Sequence, residues 1–114
     1  MAISLNELEK YKEALEVLQN LPSEEKQNLV VINATGFAHL KMGNPEFALA
    51  VLERGPLRTR KIDSQIMTFR YLVGLTYKEL GKKRQALTQF NKVYAEYPYF
   101  EDVENQLKEL AEKK

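Results

Sequence analysis

The single histidine, His39, is the side chain in this sequence with the widest chemical range, and its neighbourhood is poor in partners. No second histidine stands four residues away, and no cysteine occurs anywhere, so the ligand spacings of zinc sites are missing. His39 is therefore expected to fill a helix-packing position. Carboxylates come in pairs, Glu24-Glu25 and Glu101-Asp102, but each pair falls where a helix should begin, and a helix N-terminus attracts negative charge without any catalytic role. The five glycines are dispersed and form no phosphate-cradling loop, and no serine is patterned with a base. These residues imply neither an enzyme nor a cofactor.

Two further groups invite a binding role. Arg54, Arg58, Arg60 and Lys61 gather in one stretch, with Lys82, Lys83 and Arg84 further on, a pattern compatible with a nucleic-acid footprint. Against this stands the balance of 17 basic and 16 acidic residues, which produces no global field toward nucleic acid or an anionic membrane. The basic stretch reads as a solvated connector. Tyr94, Tyr97, Tyr99 and Phe100 crowd around Pro98, where such rings either seal a helix end or stack on a partner. No apolar run approaches the ~20 residues that span a bilayer. The opening MAISLNELEK has no apolar core of a signal peptide, and a cytoplasmic setting is expected.

The elements that must position these groups are helices. Leu8, Tyr11, Leu15 and Leu18 recur at steps of three and four, predicting a helix over 4–21 with Ser4 and Glu7 as a capping box, stopped by Pro22. Ser23 begins a second helix, from about Glu24 to Met42, and Gly43 suits its left-handed end. Asn44-Pro45-Glu46 starts a third with Asn44 as cap, stopped at Gly55-Pro56. Asp63 or Ser64 caps a fourth that runs to Leu80. Gly81 breaks it, residues 83–96 form a fifth, and a sixth over about 100–112 carries Phe100, Val103, Leu107 and Leu110 on one stripe. The other positions of that last helix are mostly charged or amide, which suits a terminal helix whose outer side faces water.

The sequence repeats itself. Gly36, Gly43, Ala48 and Leu52 return as Gly74, Gly81, Ala86 and Phe90, each 38 positions later, while Ala14 and Leu18 precede Ala48 and Leu52 by 34. A small residue in one helix and an alanine in the next let two backbones approach closely, and each pair then presents an apolar face to its neighbour. With Tyr77, Val93 and Pro98 added, residues 67–98 resemble the tetratricopeptide repeat family. Residues 29–60 match it through Gly36, Ala48 and Leu52, with His39 in the tyrosine position, Gly55 in place of a small apolar residue and Arg60 in place of the proline. Residues 1–22 match only a second helix of a repeat. Arg70 stands where the family carries a large apolar residue.

The resemblance implies an all-α fold, a right-handed stack of about six helices in antiparallel pairs. It divides the chain into a partial first repeat (1–22), a middle repeat (23–56), a last repeat (57–98) and a C-terminal capping helix (99–114). It further implies a non-enzymatic module whose first helices line a groove for a protein or peptide partner. Carried onto this sequence, that groove consists of Asn33, Phe37 and Lys41, with Thr68, Tyr71, Leu75 and Lys78 from the next first helix. Thr68 and Leu72 occupy the positions where a chaperone-tail clamp would need cations. The alternatives are self-association through the open face of the first helix and, third, nucleic-acid binding by the basic connector.

Overall fold

The computed structural model describes residues 5–57 and 59–112, and all regular structure in them is helical. The helices, in order, are α1 (Leu5–Gln19), α2 (Ser23–Lys26), α3 (Leu29–Lys41), α4 (Pro45–Leu52), α5 (Ser64–Glu79), α6 (Lys83–Glu96) and α7 (Val103–Glu112). Ser4 and Arg58, assigned to a cap and to the connector, lie outside the described residues. The chain forms two compact units, Met1–Leu57 and Arg58–Lys114.

In the first unit α3 packs against α1 and α4. The helix expected from Glu24 to Met42 is split in two. Asn28 takes an extended backbone and its side chain accepts the Val30 N–H at 2.9 Å, which caps α3 afresh and leaves Ser23–Lys26 as a single turn. The other expected cap, Asn44, makes no side-chain bond to the helix it precedes. Its backbone N–H instead reaches the His39 carbonyl at 2.8 Å while Gly43 N–H reaches Leu40 at 3.1 Å, closing α3 in a Schellman turn. Gly43 has φ +79°, a conformation that only glycine adopts freely. The core of this unit is Leu15, Ile32, Ala38, Ala48 and Leu52.

The second unit repeats that design. Asp63 caps α5 by accepting the Ile66 N–H at 2.9 Å. Gly81, φ +77°, ends it in the same turn: Lys82 N–H bonds to Tyr77 at 2.8 Å and Gly81 N–H to Lys78 at 3.1 Å. α5 packs on α6, and α6 on α7. Phe69, Val73, Ala86, Phe90, Val93 and Val103 are fully buried. α7 begins at Val103, three residues later than expected, so Phe100 belongs to the corner before it rather than to its stripe.

Close approach is measurable in both hairpins. A methyl group built on Gly74 would sit 2.7 Å from the Phe90 ring, and one built on Gly36 would sit 2.8 Å from the Leu52 side chain. Each glycine therefore faces the large residue expected from the repeat. The arginine at an apolar position is accommodated too. Arg70 is 5% exposed, and its guanidinium donates to the Thr59 carbonyl, which ties the connector onto α5. The residue 38 positions earlier is Ile32, also buried, so here the connector supplies one acceptor to a buried cation, while Arg70 Nη1 has no hydrogen-bond partner among the described residues.

Candidate functional site

The seven residues expected to contact a partner divide between the units, three on α3 and four on α5. On α3 they differ in accessibility. Asn33 is 5% exposed, whereas Phe37 is 41% exposed and Lys41 lies open beside it. One turn of helix separates Phe37 from Lys41, so the ammonium rises over the ring, 5.4 Å from its centroid. Tyr11 of α1 meets the ring edge-on at 6.1 Å. Phe37 is thus held by contacts on one edge and one face while much of its surface stays exposed.

On α5, Thr68 and Leu75 are half-buried, and Tyr71 and Lys78 are bonded to α7 and the corner before it. Tyr71 packs its ring between Phe90 and Phe100, both at 5.8 Å, and its hydroxyl donates to the Asp102 carboxylate. Gln106 Nε2 donates to the other oxygen of Asp102 at 3.1 Å. Lys78 Nζ donates to Gln106 Oε1 at 2.6 Å and to Glu109 at 2.5 Å. Burial, together with the adjacent Asp102 carboxylate, holds the Tyr71 phenol well above its usual range. Burial also pushes Asp102 up, but hydrogen bonds from Tyr71 and Gln106 and the Lys78 charge outweigh it, leaving the carboxyl below the usual range.

This network makes Gln106 a buried bridge, at 9% exposure, between Lys78 and Asp102. Asp102, Gln106 and Glu109 had a signal in the sequence: spacings of four and three place them on one side of a helix, opposite Tyr71 and Lys78, which are seven apart. Of the aromatics around Pro98, Phe100 seals the corner, while Tyr94, Tyr97 and Tyr99 remain 40%, 43% and 91% exposed.

His39 stacks on Phe47 at 5.8 Å, and burial lowers its pKa from the usual 6.5. No group of three or more potential metal-ligating side chains occurs among the described residues. Nor is any helix among them long and apolar enough to cross a membrane.

A family model described as the tetratricopeptide repeat matches residues 70–98. Residues 70–98 thus have the pattern of a tetratricopeptide repeat. The match begins at Arg70 and ends at Pro98, and it takes in Gly74, Tyr77, Ala86 and Phe90. No curated protein and no solved structure matches the chain. Within the repeat, Gly74 and Phe90 fix how closely α5 and α6 approach, and Tyr71 and Lys78 fasten α7.

Proposed function

We propose that the chain is a non-enzymatic protein-interaction module that holds an extended partner segment on α3, through the exposed face of Phe37 and the ammonium of Lys41. The family match supports an interaction role, and the observation that carries the site is the half-open Phe37 ring with a cation fixed above it. A large aromatic already ordered by its neighbours loses little freedom on binding, which is the property of an anchor residue. Asn33, 5% exposed, offers a partner little surface. On α5, Tyr71 and Lys78 act mainly by holding α7, and Thr68 and Leu75 supply the partner contacts of the second unit. The test is affinity capture with the intact chain and with Phe37→Ala/Lys41→Glu. Captured partners should be lost with little change in melting temperature; undiminished capture would show that the partner binds elsewhere.

One observation favours a second reading. Ala48 and Ala86 are fully buried under their paired helices, but Ala14, their counterpart on α1, is exposed, and the neighbouring Val17 is 65% exposed. An apolar stripe left open in this way suits self-association. Light scattering across a concentration series decides it: mass should grow with concentration and Val17→Glu should abolish the growth.

A further inference from the structure

The first unit contains a cleft of about 270 Å³ that is distinct from the Phe37–Lys41 face of α3. It is lined on its apolar side by Leu18 of α1, Val31 of α3 and Val51 of α4, and on its polar side by Lys26, Arg54 and His39. Val31, Thr35 and His39 form one stripe of α3. They are offset by two residues from Asn33, Phe37 and Lys41, so they point about 200° away around the helix. The two surfaces are therefore separate.

Three features show what the cleft would accept. First, its charge has one sign: no acidic side chain lines it, and neither Lys26 nor Arg54 has an ion-pair partner among the described residues. In a chain of net charge +1, this pairing of free cations over an apolar floor is local and not a reflection of the whole protein. Second, His39 Nδ1 is buried and has no hydrogen-bond partner among the described residues. Such a group is costly to leave unsatisfied. The Thr35 hydroxyl, on the same stripe of α3, donates to the Val31 carbonyl at 2.8 Å. Third, the volume lies just below the ~300–1,000 Å³ typical of small-ligand pockets, which suits one side chain and its flanking groups rather than a packed helix.

We propose that this cleft binds an acidic peptide segment, seating an aliphatic side chain on Leu18, Val31 and Val51 and placing the adjoining carboxylates on Lys26 and Arg54. The proposal rests on reading the chain as a protein-interaction module, but it assigns a different surface. A nucleic-acid strand fits less well. Its bases stack on open aromatic faces, the only ring lining this cleft is the imidazole of His39, and that ring is already stacked on Phe47.

The experiment is an NMR titration of the intact chain with acetyl-Glu-Leu-Asp-amide. Saturable shifts are expected at Val31, Thr35, His39 and Val51, weakening as salt is added. The uncharged analogue acetyl-Gln-Leu-Asn-amide should bind at least tenfold more weakly, and so should the acidic peptide to Lys26→Glu/Arg54→Glu. Because both cations are unpaired, that variant should melt as the native chain does. Equal binding of the two peptides, shifts confined to Phe37 and Lys41, no saturable shift, or preferential binding of an oligouridylate would each overturn the proposal. Loss of partner capture by Phe37→Ala/Lys41→Glu is independent of these outcomes, so the two surfaces can fail separately.

Discussion

The α3/α4 and α5/α6 hairpins share a turn, a glycine and an alanine in the same register, yet only the second is covered by the tetratricopeptide match. The two turns agree to 2° in φ and have the same hydrogen-bond pattern. The hairpins part company in the length of their second helices. α6 runs for 14 residues and buries Val93, whereas α4 stops after 8. Gly55 stands in register with Val93, and Pro56 next to it disfavours helix at the residue before it and donates no backbone bond. The first hairpin thus keeps the close contact of the repeat with a much shorter second helix. Close packing within a hairpin and the length of its second helix are separable properties, each specified by its own few residues.

The strongest way to break this comparison is to place a charge at the three related alanines. Ala86→Glu should abolish the folding transition of the second unit, a loss exceeding about 4 kcal/mol, because a carboxylate would be buried where no space or partner exists. Ala48→Glu should do the same to the first unit. Ala14→Glu should stay within about 0.5 kcal/mol, as expected of an exposed site. Urea melts followed by circular dichroism measure all three; a severe loss at Ala14 would mean that α1 is covered.

Methyl groups at the two glycines give the next largest effect and distinguish the hairpins. Gly74→Ala should cost about 2–3 kcal/mol, because the rigid Phe90 ring must move as a body. Gly36→Ala should cost about 1 kcal/mol, since the branched end of Leu52 can change rotamer. Adding Phe90→Leu to Gly74→Ala should recover part of the loss. Equal costs at both sites would remove the distinction between ring and branch.

Acid should separate the units by pH window. The imidazole of His39 has a folded pKa depressed below 6.5, so on acidification the unfolded chain takes up a proton that the folded chain resists. The first unit should therefore lose stability as pH falls from about 6.5 toward the folded value. Asp102 is also depressed, from 3.8, so its contribution in the second unit is present above that value and is lost only as pH falls through its lower folded pKa. Amide exchange in each unit across pH 7 to 2 would resolve the order, and His39→Tyr should flatten the first slope while Asp102→Asn flattens the second.

The smallest effect is expected at the corner between α6 and α7. Glu101 holds φ +44°, a left-handed conformation that strains a side-chain-bearing residue. Glu101→Gly should stabilise by no more than about 0.5 kcal/mol, because relief of strain is offset by the freedom glycine adds to the unfolded chain. Thermal melting checks it.

Much of the helical order was legible because its signals are local. Gly43, Gly81, Pro45 and Asp63 act through backbone geometry within a few residues, and they marked the ends of α3, α4 and α5 from spacing alone. The split at Asn28 was harder to read, since Ser23-Glu24-Glu25 carries an equally good start signal and only the observed Asn28–Val30 bond favours the later one. The binding faces were less legible still. The identities of Tyr71 and Lys78 suggested partner contacts, yet their polar ends meet Asp102, Gln106 and Glu109, 28 to 31 residues away. Sequence by itself determined most of the helix ends, the 38-residue register and the glycine-to-bulk pairing, because periodicity and backbone conformation depend on near neighbours. Tertiary structure alone decided which side chains remain open, which are tied to α7, and where unpaired cations border a cleft, because each of these depends on groups that the chain brings together only after it folds.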